Sequence, residues 1–135
     1  LLTRDLTFPN GIAFSPDEKI LYVGVSDERA TRIVAYDVQT DGSIANGRTF
    51  FDAQPLLKGG DKGLVDGMKI DRDGNVWSSG PGGILVISPS GKLLGRLNTG
   101  VATANCNWGD DGGTLYITAH MFLARVRTLT KGAGW

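Results

Sequence analysis

One pattern occurs three times in the sequence, and this repetition constrains the fold more than any other feature. Each copy has a small or polar residue, a short strand, a turn rich in Gly, Asp or Pro, and a second strand with one aromatic residue. The copies read NGIAFSPDEKILYVG, DGMKIDRDGNVWSS and ANCNWGDDGGTLYIT. Their first positions are Asn10, Asp66 and Ala104, which lie 56 and 38 residues apart. Four short antiparallel strands fill about that length, so the repeat predicts the blades of a β-propeller.

The order of apolar runs along the chain predicts how many blades it forms. Short runs of Ile, Val, Leu, Tyr and Phe alternate with turn clusters, whereas helical periodicity is weak throughout. With the strands of a blade lettered a to d from the axis outwards, the chain reads d, abcd, abcd, abc. We expect an all-β fold, a single half-propeller domain over residues 1–135. Its parts are an outer strand of a preceding or partner blade (1–8), two four-stranded blades (9–57 and 64–101) and an incomplete blade (102–130).

Three blades leave two open flanks, and known propellers usually have about four to eight blades. Exposed sheet edges and flanks favour association. Two arrangements therefore remain open. The chain is the second half of a six-bladed propeller, or two copies pair head-to-tail as a homodimer. In the homodimer, residues 1–8 of one copy complete the last blade of the other.

The charge balance and the cysteine count narrow the range of partners and locations. Lys plus Arg and Asp plus Glu number 14 each, which argues against nucleic acid or an anionic membrane as an obligatory partner. The single cysteine, Cys106, cannot form an internal disulfide, and this is compatible with the cytoplasm, the location we expect. The sequence lacks an initiator methionine, which leaves a longer parent protein and a periplasmic location open.

Four segments carry a family resemblance. They read FPNGIAFSPDEKILYV, VDGMKIDRDGNVWSSGPGGILVISPSGKLLGRL, TANCNWGDDGGTLYITA and ARVRTLTKGAGW. The sequence resembles the C-terminal half of the gluconolactonase/regucalcin (senescence marker protein) family of six-bladed propellers, over nearly the whole chain. The resemblance implies hydrolysis of sugar lactones with one divalent metal ion in the central channel. The family binds this ion with the Asn of the PNG motif and the Asp of the DGM motif, which match Asn10 and Asp66. The family's Glu ligand and a further Asn come from N-terminal segments that this chain does not contain.

Propeller geometry points both matched residues at the axis, where they can converge on one ion. Amide and carboxylate oxygens are hard donors that suit Ca²⁺, Mg²⁺ or Mn²⁺ and tolerate Zn²⁺, with Ca²⁺ the first expectation. The ion would polarise the lactone carbonyl and activate water, and Asp66 would ligate the ion, accept the water's proton, or both. In a homodimer, both copies would contribute Asn10 and Asp66 to one channel.

Other interpretations stay open beside this one. Asn-Gly and Asp-Gly are also ordinary turn dipeptides. The main functional alternative is a catalytically inactive half-propeller, either a fragment or a self-associating module. An organophosphate hydrolase is a weaker alternative, because related propellers use a similar axial ion.

Three further residues and one short run have side chains that can take part in chemistry. Asp27 and His120 are weak candidates for substrate binding, since each follows a strand of a blade. Cys106 is expected to be a buried small residue. The run DRDGN at 71–75 resembles a calcium loop but lacks that loop's later Gly and Glu, so it predicts a hairpin turn.

Overall fold

The computed structural model describes all 135 residues, and half-buried strands joined by tight turns dominate it. A first group of strands comprises β1 (Pro9–Phe14), β2 (Ile20–Val25), β3 (Arg32–Val38) and β4 (Ile44–Asp52). After the short helix α1 (Gln54–Lys58), a second group comprises β5 (Met68–Ile70), β6 (Val76–Gly80), β7 (Gly83–Ile87) and β8 (Leu93–Leu97). A third comprises β9 (Thr103–Gly109), β10 (Thr114–Ala119) and β11 (Phe122–Arg127).

Each group forms one antiparallel sheet in sequence order, β1-β2-β3-β4, β5-β6-β7-β8 and β9-β10-β11. We call these sheets blade 1, blade 2 and blade 3. The first strands of adjacent blades contact each other, β1 with β5 and β5 with β9, so we call these three the innermost strands. The order abcd, abcd, abc predicted from the sequence is confirmed.

Two apolar layers hold the blades together, because alternate strand residues face opposite sides of a sheet. Between blades 1 and 2 lies a cluster that includes Ile33, Val65, Met68 and Leu85. Between blades 2 and 3 lies a second cluster, in which the rings of Trp77 and Trp108 pack edge to face with centroids 5.2 Å apart. The recurring aromatic residues of the sequence motif therefore include core residues.

Residues 1–8 form no strand in this chain, which differs from the predicted outer strand. A strand requires a ladder partner, and none lies beside this segment. Instead, Leu6 packs on the flank of blade 1 that faces away from blade 2, against a cluster that includes Val23, Val34 and Tyr36. That these residues complete another blade stays a prediction.

The C-terminal residues dock on the innermost strand of blade 2. The Ala133 N–H donates to the Ile70 carbonyl at 2.9 Å, and Gly132 forms a bridge with Asp71. The segment thus docks at the end of β5 that leads into the β5–β6 turn. The one helix, α1, has five residues, so the chain has no helix that could span a bilayer.

Candidate functional site

Asn10 lies in a β-bulge at the start of the innermost strand of blade 1. Pro9 pairs with Val25 and Ile12 pairs with Val23. Two residues of β1, Asn10 and Gly11, therefore lie opposite the single residue Gly24 of β2. A bulge re-aims the side chain that it carries and is common next to active sites. The Asn10 side chain is exposed and makes no hydrogen bond within the chain.

Asp66 lies two residues before β5, at the same end of blade 2. Its side chain is partly buried and makes no hydrogen bond within the chain, and burial raises the pKa of its carboxyl above the ordinary value. The two candidate ligands are neighbours through the backbone, because any side chain at position 11 would overlap the Asp66 carbonyl oxygen. Gly11 is therefore what allows β1 to approach Asp66 this closely.

A short hydrogen-bond network fixes the backbone that follows Asp66. The Gly67 N–H donates to the Ala104 carbonyl at 2.9 Å, and the Ser79 N–H donates to the Gly67 carbonyl at 2.9 Å. The buried Ser79 hydroxyl lies 3.0 Å from the Ala104 carbonyl oxygen and 3.2 Å from that of Gly67. Ser79 thus links the innermost strands of blades 2 and 3 directly beside Asp66.

Blade 3 repeats the bulge of blade 1 but carries no oxygen-donor side chain there. Thr118 pairs with Asn105 and Ala119 with Thr103, so Ala104 occupies a bulge like that of Asn10. The equivalence of positions 10 and 104 in the repeat is reproduced by the structure. An alanine methyl group cannot bind a metal ion, so this blade contributes no ligand at the equivalent place.

Asn105 is a polar neighbour that the sequence interpretation missed. Its exposed side-chain amide lies directly over Gly67, where a side chain on that residue would overlap it. Its Oδ1 accepts a hydrogen bond from the Cys106 N–H at 2.9 Å. The available signal was Gly67 itself, because a glycine in a strand often marks a close approach of another group.

The two weaker candidates lie at the same end of their blades but differ in their contacts. The Asp27 carboxylate accepts the Arg29 N–H at 3.0 Å, and this bond, followed by one from the Thr7 hydroxyl, lowers the pKa of Asp27. Asp27 therefore already orders a turn. His120 begins the two-residue turn between β10 and β11, is exposed and has φ of 50°. Their roles in substrate binding stay predictions.

Asp71 and Cys106 have the structural roles that the sequence favoured. The Asp71 carboxylate is buried in the β5–β6 turn and fully engaged there, as a hairpin turn requires. The Cys106 thiol is buried against the Trp77 carbonyl, and burial raises its pKa to about 12. A thiol with that pKa is not a nucleophile at neutral pH.

The two candidate ligands, Asn10 and Asp66, do not form a complete metal site by themselves. No group of three or more His, Cys, Asp and Glu side chains is close enough to hold an ion. Asn10 and Asp66 add an amide and a carboxylate oxygen, both free of hydrogen bonds, and these fit a hard cation such as Ca²⁺. Ca²⁺ takes six to eight oxygens, so the two side chains would supply a minority of its ligands.

The sequence of the chain is similar to those of known proteins. The family model described as "SMP-30/Gluconolactonase/LRE-like region" matches residues 1–121. The gluconolactonase of Zymomonas mobilis is 40% identical over 136 residues, which cover 98% of this chain and 38% of that protein. The chain thus spans about two fifths of the length of that relative.

Solved structures show the same fold. A gluconolactonase from Xanthomonas campestris superposes with a TM-score of 0.80 and 35% identity, over 93% of this chain and 39% of that one. A calcium-binding protein, regucalcin from Agrobacterium tumefaciens, superposes with a TM-score of 0.75 and 22% identity, over 99% of this chain and 50% of that one.

Proposed function

Because the chain belongs to the SMP-30/gluconolactonase/LRE-like family, we propose that the protein hydrolyses sugar lactones with the help of a divalent cation held by Asn10 and Asp66. One observation carries the proposal. Two oxygen-donor side chains without hydrogen-bond partners lie at the same end of adjacent innermost strands, joined through the Gly11–Asp66 contact. Unpartnered polar groups at such a place are available for a ligand.

The residues of the chain have distinct tasks in this proposal. Asn10 would hold the ion through its amide oxygen, which the bulge leaves exposed. When bound, the ion would polarise the lactone carbonyl and lower the pKa of a water molecule. Asp66, whose carboxylate accepts no hydrogen bond within the chain, accepts the proton of the attacking water. Ser79 holds the backbone at Gly67 so that Asp66 keeps its orientation.

Calcium is the first expectation for the ion. Its flexible shell accepts amide and carboxylate oxygens together with water, whereas Mg²⁺ requires a strict octahedron and Zn²⁺ prefers nitrogen and sulfur ligands. Mn²⁺ would also suit the oxygen donors.

A hydrolysis assay tests the proposal. We expect the chain to open D-glucono-1,5-lactone faster than buffer does when calcium is present, and to lose this activity with a chelator or with Asp66→Ala. The matched control is Asp41→Ala, which removes an exposed carboxylate in the β3–β4 turn. Activity that survives both the chelator and Asp66→Ala would contradict the proposal, and no turnover in any metal would favour the inactive half-propeller.

We further propose that a second copy of the chain completes the ring. On the outer flank of blade 1, Ile12 and Phe14 are 60% and 48% exposed, and on the outer flank of blade 3, Leu123 is 76% exposed. Burying such side chains is favourable, and a head-to-tail pair would cover both flanks. We expect a sedimentation mass of twice the 14.3 kDa chain. A monomer at micromolar concentration would refute the pair.

A further inference from the structure

The innermost strands carry a single charged side chain. β1 reads PNGIAF, β5 reads MKI and β9 reads TANCNWG, so Lys69 is the one side chain among them that is charged at neutral pH. Lys69 follows Asp66 by three residues in the DGMK segment. Lys69 lies in the middle of β5 and is partly buried.

The backbone shows which way the Lys69 ammonium points. The Gly67 carbonyl accepts a hydrogen bond from the Ser79 N–H, and the Asp71 N–H donates to the Asn75 carbonyl. Between Gly67 and Asp71, the odd-numbered residues therefore direct these backbone groups towards β6 and the turn before it. Because hydrogen-bonding directions alternate along a strand, the carbonyls of Met68 and Ile70 face the opposite, open edge. The Lys69 Nζ donates to the Met68 carbonyl at 3.0 Å. The ammonium therefore lies at the axial edge of β5.

The surroundings of Lys69 leave the ammonium available. It forms no ion pair with any carboxylate of the chain, although the side chain is partly buried. The next carbonyl on the same edge, that of Ile70, is already bonded to Ala133 of the docked C-terminal segment. A partly buried ammonium with one carbonyl partner has two unused donors and an unneutralised charge.

The spacing suits a short anionic ligand. Asp66 and Met68 are two residues apart, which corresponds to roughly 7 Å at about 3.3 Å per residue. Once released from the ion, an extended six-carbon acid can bridge that distance, with its hydroxyl groups towards Asp66 and its carboxylate on Lys69. Water adds to the carbonyl carbon of a lactone and the ring C–O bond breaks, so the product is a hydroxy acid that ionises to a carboxylate at neutral pH.

We propose that Lys69 is an anion-binding residue of the channel and that it holds the carboxylate of the ring-opened aldonate. This rests on the proposed lactone hydrolysis and names the product that the site recognises. Lys69 forms a charge-assisted hydrogen bond to that carboxylate, the kind of contact that a neutral polyol cannot make. The site thereby distinguishes a polyhydroxy acid from a polyhydroxy alcohol of the same length.

Calorimetry with metal-free chain tests this proposal separately from catalysis. The probes are sodium D-gluconate and the neutral alcohol D-glucitol, titrated into wild type, Lys69→Met, Lys69→Arg and Lys92→Met. Lys92 is an exposed lysine of the β7–β8 turn, so its substitution removes the same charge elsewhere. Circular dichroism confirms that each variant is folded, and Lys69→Arg keeps the test usable if Lys69→Met is not.

We expect Lys69→Met to weaken gluconate binding about tenfold, or about 1.4 kcal/mol, with glucitol binding unchanged. Lys69→Arg should retain gluconate affinity, and Lys92→Met should match wild type. Equal gluconate affinity in wild type and Lys69→Met overturns the proposal, as does a wild type that binds no gluconate at millimolar concentration. An equal loss for both probes shows a structural role and also overturns it. The proposed function has a separate test, the calcium affinity of Asp66→Ala. If Asp66→Ala binds calcium as tightly as wild type, the proposed function fails, whatever the result for Lys69.

Discussion

Asp66 and Asp71 lie at opposite ends of the same innermost strand, and the fold uses them in opposite ways. Asp71 is fully buried and accepts four hydrogen bonds, from the N–H groups of Asp73 and Asn75, the Asn75 side chain and the Trp77 indole. Asp66 accepts none and is partly open to solvent. A carboxylate whose acceptors are all used stabilises the turn, whereas one that is left free is available for a ligand.

The largest expected effect is the loss of stability on Asp71→Ala. The substitution leaves four buried or partly buried donors without their acceptor, and breaking a buried charged network of this kind costs about 3–5 kcal/mol. Urea unfolding followed by tryptophan fluorescence measures the change. Asp66→Ala, which breaks no hydrogen bond, should change the unfolding free energy by less than about 1 kcal/mol. Similar losses for the two variants would remove the contrast between the two ends of β5.

Two glycines allow a second comparison of the two ends of β5, because Gly11 lies beside Asp66 and Gly132 beside Asp71. Any side chain at Gly11 would overlap the Asp66 carbonyl, and any at Gly132 would overlap the Trp108 ring. We expect Gly11→Ala and Gly132→Ala each to cost about 1–3 kcal/mol of unfolding free energy, because both overpack. Only Gly11→Ala should weaken calcium binding. Gly95→Ala is the control, since a side chain at that position would contact nothing. If Gly11→Ala and Gly132→Ala weakened calcium binding equally, the placement of the calcium site beside Gly11 would be contradicted.

Adjacent serines test how Asp66 is positioned. Ser78 and Ser79 are both fully buried, but the Ser78 hydroxyl donates only to the Ser79 carbonyl, whereas the Ser79 hydroxyl links Gly67 and Ala104. Each Ser→Ala change should cost about 1 kcal/mol. Ser79→Ala should also weaken calcium binding several-fold, and Ser79→Thr should restore it. If Ser78→Ala has the same effect on calcium, the network has no special role.

The smallest expected effect is a pH dependence at Asp66 in the metal-free chain. Burial raises its pKa above the ordinary value of 3.8, so its contribution to stability is complete below that pH and is lost as the pH rises through the folded pKa. Asp66→Asn should therefore raise the unfolding free energy at pH 7 and have a smaller effect at pH 4. Urea unfolding at the two values measures this difference. An equal effect at both values would show that the carboxyl is not desolvated.

The sequence predicted the blades because the repeat combines strand length, turn composition and apolar alternation, all of which are local. It also predicted the equivalence of Asn10 and Ala104, which the two bulges reproduce. It did not predict that the C-terminal segment docks on β5, nor that the Asn105 amide covers Gly67. These features depend on contacts between blades, and nothing in the local pattern encodes them. The absence of a strand at residues 1–8 has the same origin, since a strand depends on its partner.

Calcium titration by calorimetry tests the central claim most directly. The account predicts that wild type binds calcium, that Asn10→Ala and Asp66→Ala each weaken binding at least about tenfold, and that Asp41→Ala binds like wild type. Removing a ligand oxygen should act on the ion in this way because hard cations depend on the number and charge of their oxygen donors. Calcium binding that is absent in wild type, or unchanged in both Asn10→Ala and Asp66→Ala, would contradict the account.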